Sequence, residues 1–315
     1  MFKWIKKGHI FKPEGIFEWS EGYAQIPRPL ILNDKIRVFY ATRYFDKQNL
    51  PISQTSFIDI DKKNLRKILY IHNKPSINLG PKDNFAQHGI HPTMLLNINN
   101  KVHFFYQGWK RGSDFPYETS IGLAISEDNG FNFQKTNELP VFSKSIEDPF
   151  FVNGVFIINK SNKYHMYYSS CTQWLNHHGK KESVYIIKQA ESVDLLSWKR
   201  NINGCIETKT ELECQNSPTI IKINEKYHMW FCFRNALDFR NSIGGYRIGY
   251  AWSDDGINWK RDDLSAGIGL GENGSWDSEM ICYPYVFENE GKIIMLYCGN
   301  YFGKEGFGYA ELEIE

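Results

Sequence analysis

Two neighbouring acidic residues, Glu147 and Asp148, precede Pro149 in the middle of the chain. A carboxyl group held beside a reacting bond can donate or accept a proton as a general acid or base. We therefore take Asp148 as the candidate catalytic acid and Glu147 as a second catalytic candidate.

Four basic residues could hold an anion: Arg28, Arg43, His91 and Arg234. Arg28 and His91 each stand directly before a proline, and Arg43 and Arg234 each end an aromatic-rich segment. A guanidinium group suits bidentate contacts to phosphate or carboxylate. The alternative is that these arginines form ion pairs between structural units.

Other side chains near the same segments are candidates for substrate binding. Trp109 offers a flat apolar face for a sugar ring, although core packing would explain it equally well. His88 could contact a ligand or only bond its own loop. The full set of these further candidates is His88, Trp109, Asn216, Ser217, Glu279 and Tyr283.

His177 and His178 lie in a long insertion between two predicted strands. Two adjacent loop histidines do not by themselves define a metal site. The insertion is instead predicted to form a lid, and no metal or cofactor is expected.

An internal repeat organises the chain. Five stretches share a proline, an apolar strand, a short polar turn and an aromatic-rich strand. Their prolines are spaced by 63, 57, 69 and 66 residues, at Pro29, Pro92, Pro149, Pro218 and Pro284. A repeat of this period that fills the chain indicates one supersecondary unit per repeat.

Further strands follow the first two in each repeat. Residues 128–130 and 254–256 are typical of hairpin turns, and sustained helical periodicity is missing throughout. Four antiparallel strands repeated five times predict an all-β protein, a five-bladed β-propeller forming one domain over residues 1–315. The N-terminal strand beginning at Phe2 resembles a fourth strand, so we expect it to close the last blade and protect its edge.

The starts of the innermost strands of a propeller converge on its central channel. The residues directly before the five prolines should then form one ring. Its predicted members are Arg28, His91, Asp148, Ser217 and Tyr283.

This organisation resembles the five-bladed propeller glycosidases, the superfamily of glycoside hydrolase families 43, 32, 68 and 130. Asp148-Pro149 matches the middle-blade Asp-Pro of families 43 and 32. Their first-blade Asp is replaced by Arg28, and their later-blade Glu position holds Asn216-Ser217-Pro218.

Family 130, the mannoside phosphorylases and their relatives, is similar at Glu147-Asp148-Pro149 and at the strand-ending Arg43 and Arg234. The resemblance implies that Asp148 is the general acid. Phe150 stands where that family has an arginine.

Glycoside hydrolysis needs two carboxylates flanking the scissile bond, whereas the predicted ring supplies one. We therefore expect a carbohydrate-active protein, hydrolase-like or phosphorylase-like, that cleaves or transfers at a glycosidic bond beside an Arg/His anion site. Two alternatives are a polysaccharide or glycoconjugate biosynthesis protein that handles an acidic or nucleotide-activated sugar, and a non-catalytic glycan-binding module. The expected ligand is a carbohydrate, a sugar phosphate or a nucleotide sugar.

Composition limits the partners and the location. A net charge of +1 gives no general attraction to nucleic acid, and no apolar run is long enough to span a membrane. The six cysteines form no Cys-x-x-Cys pair, and the N-terminus lacks a signal-peptide pattern. These features predict free thiols and a cytoplasmic protein.

Overall fold

A computed structural model describes residues 2–240 and 243–313. Nearly all of its regular structure is β-strand, which confirms the predicted all-β class. Helical structure in the described part is limited to α1 (Asn300–Gly303) and one 3₁₀ turn (Asp263–Ser265).

The strands form five antiparallel units, numbered here in chain order. Unit 1 contains β2 (Gly22–Ile31), β3 (Lys35–Phe45), β4 (Pro51–Asp61) and β5 (Ile68–Ile71). Unit 2 contains β6 (Gly89–Ile98), β7 (Lys101–Lys110), β8 (Glu118–Ser126) and β9 (Gln134–Lys135). Unit 3 contains β10 (Val152–Lys160), β11 (Lys163–His177), β12 (Lys180–Ser192) and β13 (Lys199–Gly204).

The last two units complete the chain. Unit 4 contains β14 (Glu213–Ile223), β15 (Lys226–Asn235), β16 (Arg247–Ser253) and β17 (Lys260–Arg261). Unit 5 contains β18 (Cys282–Asn289), β19 (Lys292–Cys298), β20 (Phe307–Leu312) and the N-terminal strand β1 (Trp4–Phe11).

β1 pairs antiparallel with β20, from Trp4 opposite Leu312 to Phe11 opposite Phe307. The prediction that the N-terminal strand completes the last unit is therefore confirmed. Trp4 is buried and packs edge-on against Trp230 of unit 4, with ring centroids 5.3 Å apart. The first strand of the chain thus joins two units that lie far from it in sequence.

The first strands of the units contact one another in cyclic order. β2 contacts β6, β6 contacts β10, β10 contacts β14, β14 contacts β18, and β18 contacts β2. Units 1 and 2 also share one parallel pairing, Ser53 opposite Gly89, which joins them into one eight-stranded sheet. Apolar side chains from all five units form the largest buried cluster.

Each first strand carries a β-bulge at the same depth, and the bulges fix the equivalence of the units. Ile26, Gly154, Ser217 and Tyr283 occupy these bulges with φ of 57°, 60°, 50° and 55°. Gly154, and not Asp148, is therefore equivalent to Ser217 and Tyr283. By the same register, Ile26 and Pro92 take the positions predicted for Arg28 and His91, so the predicted ring is wrong at three of its five members. The prolines misled because Pro149 lies before β10 begins whereas Pro218 and Pro284 lie within their strands.

Candidate functional site

The register of the first two strands defines a ring of five equivalent positions just before the bulges. These residues lie opposite Ala41, Gln107, Ser169, Cys232 and Cys298 on the second strands. We call them the polar ring: Gln25, His91, Asn153, Asn216 and Cys282.

Three members of the polar ring carry buried polar atoms that have no hydrogen-bond partner among the described residues. They are Oε1 of Gln25, Nε2 of His91 and Oδ1 of Asn153. Leaving such an atom unsatisfied typically costs about 1–3 kcal/mol. A cluster of unsatisfied atoms at equivalent positions is therefore typical of a place where water or a ligand binds.

Close backbone approach joins neighbouring members of the ring. A Cβ atom at Gly154 would overlap Oδ1 of Asn216, so only glycine fits beside that amide. The same Oδ1 accepts hydrogen bonds from the backbone N–H of Ser217 at 2.6 Å and from the Ser169 hydroxyl at 3.2 Å. On the other side of the ring, the Gln25 side-chain amide donates to the backbone carbonyl of Phe302 in α1 at 2.5 Å.

Arg28 lies just past the bulge of β2 and is 1% exposed. Its Nε donates to the carbonyl of Thr93 at 2.7 Å, and its guanidinium lies over the Tyr285 ring at 5.2 Å. Burial lowers the pKa of Arg28 to about 10. The positive charge is thus held by carbonyl oxygens and an aromatic face.

Arg43 lies near the end of β3, where its charge acts on His91. Its guanidinium lies 4.8 Å from the centroid of Tyr23, and its Nε is buried without a partner among the described residues. Burial and, to a smaller extent, the charge of Arg43 lower the pKa of His91 to about 3. His91 is therefore a neutral imidazole at physiological pH.

Arg234 is the penultimate residue of β15, lies within a cluster of aromatic rings and is 7% exposed. Its guanidinium stacks on Phe239 at 3.4 Å from the ring centroid and donates to the Tyr185 hydroxyl at 2.9 Å. The Tyr185 hydroxyl in turn bonds that of Tyr246. The Nε of Arg234 is buried and has no partner within the described ranges.

Arg28 and Arg234 both lie near Cys232. Burial raises the pKa of the Cys232 thiol to about 12, and both guanidinium charges act in the opposite direction. Both guanidinium charges therefore act on the thiol that lies opposite Asn216 of the polar ring.

Arg28, Arg43 and Arg234 share the lack of a carboxylate partner among residues 2–240 and 243–313. Five other arginines form ion pairs with an Asp or Glu: Arg37, Arg111, Arg200, Arg240 and Arg261. Among the described residues, the three candidate arginines therefore do not form the ion pairs between units that the alternative expected. A buried cation without an anion is costly, so the buried charges of Arg28 and Arg234 suit an anionic ligand, and the half-buried Arg43 can add to such a site.

The predicted catalytic carboxylates lie elsewhere. Asp148 is 0% exposed and lies against strands of its own unit. Its carboxylate accepts hydrogen bonds from the Tyr168 hydroxyl at 3.0 Å and from Lys188 Nζ at 3.2 Å, and it forms an ion pair with Arg200. All of these contact residues belong to unit 3.

Glu147 is only half-buried and accepts a hydrogen bond from the Ser145 hydroxyl at 2.7 Å. That bond is the main reason why the pKa of Glu147 is lowered. A lowered pKa keeps this carboxyl ionised at neutral pH, which does not favour a general acid.

The remaining candidates lie around the ring without forming one cluster. His88 accepts a hydrogen bond from the backbone N–H of Arg111 at 3.1 Å. The indole of Trp109 lies directly over Gly89. The ring of Tyr283 lies 5.9 Å from that of Tyr246.

Glu279 is half-buried in the segment that leads into β18. Its backbone N–H donates to Asn300 Oδ1 at 2.8 Å, and its carbonyl accepts from Arg247 at 3.1 Å. No described residue forms an ion pair with its carboxylate within 4.0 Å, in contrast to Asp148.

Sequence reasoning missed Gln25 and Asn153 of the polar ring and the Tyr185–Tyr246 pair beside Arg234. A signal for the ring was present in the second strands. Four of the five bulges lie opposite a tyrosine of the second strand: Tyr40, Tyr106, Tyr168 and Tyr297. Aligning the repeats on these tyrosines gives the correct register, whereas aligning them on the prolines does not.

The structure also bears on membrane-spanning segments and on the cysteines. No helix in the described part of the chain is long and apolar enough to cross a membrane. All six cysteines are free, as predicted.

Comparison with known proteins places the chain. No protein-family profile matches the sequence. The uncharacterized protein Rv1502 of Mycobacterium tuberculosis strain H37Rv is 32% identical over 312 residues, which cover 98% of this chain and 99% of that protein. The uncharacterized protein MT1551 of strain CDC 1551 has the same identity and coverage. The chain belongs to the family of these two proteins.

Solved structures share the fold at low sequence identity. A glycoside hydrolase superposes with a TM-score of 0.73 at 16% identity, covering 98% of this chain and 90% of that one. A thermostable family-43 glycoside hydrolase gives 0.65 at 16% identity, with coverage of 93% and 88%.

A structure from work on the GH130 family of mannoside phosphorylases, which contains glycoside hydrolases that target β-1,2 mannosidic linkages, is also similar. It gives a TM-score of 0.69 at 15% identity, with coverage of 99% and 94%. The resemblance to propeller glycosidases is thus confirmed at the level of fold.

Proposed function

We propose that residues 1–315 form one five-bladed β-propeller domain in which each unit is a blade. Support comes from the five repeats, the cyclic contacts of the first strands and the fold shared with glycoside hydrolases. On this proposal the polar ring surrounds the mouth of the central channel.

The function that we propose is recognition of a carbohydrate that carries an anionic group, with transfer at its glycosidic or phosphoester-linked carbon. The observation that carries the proposal is the set of three arginines beside the polar ring, the buried Arg28 and Arg234 and the half-buried Arg43, none paired with a described carboxylate. In such a site the arginines bind the phosphate or carboxylate, while the amides and neutral His91 hydrogen-bond sugar hydroxyls. A neutral imidazole can both donate and accept hydrogen bonds, as sugar hydroxyls do.

The charge balance of the site favours an anionic reactant over plain hydrolysis. Hydrolysis uses two carboxylates about 5–9.5 Å apart, and the polar ring contains none. Phosphate as nucleophile, or a nucleotide sugar as donor, needs fewer carboxylates because the arginines stabilise the charge directly. We therefore place a sugar phosphate or nucleotide sugar ahead of a neutral glycan.

A second candidate function, cleavage of a glycosidic bond with an acid from the chain, is favoured by Glu279. Glu279 lies three residues before Cys282 of the polar ring, and its carboxylate forms no ion pair with a described residue. The catalytic role predicted for Asp148 stays a prediction, and its contacts argue for stability instead.

A thermal-shift screen tests the proposed ligand class. The panel contains inorganic phosphate, sulfate, hexose 1-phosphates, nucleotide sugars and neutral mannooligosaccharides. A ligand at about 100 times its Kd stabilises the folded state by about 2.7 kcal/mol. We expect stabilisation by anionic sugars and none by the neutral oligosaccharides.

Isothermal titration of the best hit with variants then locates the binding site. Arg43→Met and Arg234→Met keep the aliphatic stem but remove the charge, and each should weaken binding at least tenfold. The exposed Arg66→Met is the matched control and should bind as the wild type does. Stabilisation by neutral glycans alone would contradict the anion site and would favour a hydrolase or a glycan-binding module.

A further inference from the structure

The hairpin between β11 and β12 places two imidazoles side by side. Its turn consists of His178 and Gly179, with φ of 47° and 75°, the left-handed values typical of a two-residue type I′ hairpin. His177 is the last residue of β11 and His178 the first residue of the turn, and their ring centroids lie 4.1 Å apart.

A carboxylate from another unit completes the cluster. Asp238 lies in the loop that follows β15 of unit 4, sixty residues further along the chain. Its Oδ1 lies 3.0 Å from Nε2 of His177. One ligand atom from each of His177, His178 and Asp238 lies within 4.8 Å of the other two.

We propose that His177, His178 and Asp238 bind a divalent transition-metal ion such as Zn²⁺. Two imidazole nitrogens and one carboxylate oxygen form a ligand set that zinc and its first-row neighbours prefer, whereas Ca²⁺ and Mg²⁺ prefer oxygen ligands alone. Four-coordinate zinc holds neighbouring ligand atoms roughly 3.3–3.5 Å apart, so small side-chain rotations complete the geometry. The exposed side chains of His178 and Asp238 leave a fourth position for water.

Neighbouring charges do not oppose a cation here as strongly as the sequence suggests. Arg240 forms a two-pronged ion pair with Glu182 on β12, which neutralises its charge. Lys181 lies over the Phe115 ring and donates to the Asp114 carbonyl at 2.7 Å. Lys180 pairs with His177 across the hairpin, and neither it nor Lys181 forms an ion pair with a described carboxylate.

The bound ion would fasten the unit 3 hairpin to the unit 4 loop. The Arg240–Glu182 pair already joins these two segments, and the metal would add a second connection on the other side of Phe239. The proposal concerns metal binding alone, so it stands or falls independently of the proposed carbohydrate ligand.

The test uses full-length protein from which any affinity tag has been removed. Zn²⁺ binding is measured by isothermal titration, and Co²⁺ binding by its visible absorption, which reports the ligand geometry. We expect saturable binding of one ion per chain and a higher melting temperature with the ion bound.

Three variants make the test specific. His178→Asn preserves the turn, because asparagine before glycine suits a type I′ hairpin, and Asp238→Asn keeps the side-chain shape. Each should weaken Zn²⁺ binding at least tenfold, while His103→Asn, on a strand of unit 2, should leave it unchanged. The proposal is overturned if the wild type shows no saturable binding, or if both ligand variants bind as tightly as the wild type.

Discussion

Burial and pairing give the charged residues of this chain different roles. Arg28, Arg43 and Arg234 are held by carbonyl oxygens and aromatic faces, whereas Arg200 meets the carboxylate of Asp148. The charge of an arginine with a carboxylate partner is balanced within the chain, whereas the charge of an arginine without one can meet a ligand anion. The presence or absence of a carboxylate partner therefore distinguishes arginines that look alike in the sequence.

Asp148→Asn tests the structural role of the most buried candidate carboxylate. Removing its charge leaves Lys188 and Arg200 close together without their anion, and breaking such a buried pair typically costs about 3–5 kcal/mol. We expect a loss of this size in the free energy of unfolding, measured by urea denaturation. The double variant with Lys188→Met should recover part of the loss, and Glu147→Gln should leave the free energy of unfolding close to that of the wild type. A single variant as stable as the wild type would contradict the structural role.

His91 predicts a particular dependence of stability on pH. Its pKa is about 3 in the folded protein against an ordinary value of 6.5. Between these values the unfolded chain binds a proton that the folded chain does not, so stability falls as the pH falls through this window. Other histidines contribute, so the informative quantity is the difference between wild type and His91→Gln. That variant should show a shallower decline of unfolding free energy between about pH 6.5 and 4, and parallel curves would refute the prediction.

At the scale of elements, the sequence predicted strands and units but not their register. The repeated prolines marked the start of a unit, and the closing role of β1 followed from its likeness to other fourth strands. The prolines do not occupy equivalent positions, since Pro149 precedes β10 while Pro218 lies inside β14. Backbone pairing decides the register, and for that reason Asn153 rather than Asp148 belongs to the polar ring.

Gly154→Ala tests the close approach of β10 and β14. The new methyl group would overlap Oδ1 of Asn216 and would also be strained at a φ of 60°. Gly291 has a φ of 75° with nothing near its side-chain position, so Gly291→Ala carries the strain without the overlap. We expect Gly154→Ala to reduce the free energy of unfolding by about 1–3 kcal/mol more than the control does. Equal losses in thermal or urea unfolding would argue against the close contact.

Trp4→Ala tests how β1 joins units 4 and 5. Trp4 is 5% exposed and packs against Trp230, so truncation should cost about 3–5 kcal/mol. Lys7 on the same strand is exposed and pairs with Glu311 at 3.3 Å. Lys7→Ala should therefore cost less than about 1 kcal/mol. If the two variants unfold at the same urea concentration, the packing of Trp4 does not contribute the predicted stability.

At the scale of the whole molecule, the sequence predicted more of the fold than of the site. Repeats of similar length and alternating strands are signals that a single sequence contains. They predicted the all-β class and the resemblance to propeller glycosidases, and the shared fold confirms both. The site depends on interactions between units, such as the hydrogen bond of Gln25 to Phe302 and the effect of the Arg43 charge on His91. Such contacts between distant segments leave no mark in a single sequence, and the Asp238–His177 contact was missed for the same reason.

A crystal structure of the protein bound to a hexose 1-phosphate tests the central claim most directly. The account predicts the phosphate within about 3 Å of the Arg43 or Arg234 guanidinium, with the sugar hydroxyls bonded to Gln25, His91 or Asn153. A phosphate held elsewhere, or crystals that take up neutral oligosaccharides but no anionic sugar, would contradict it.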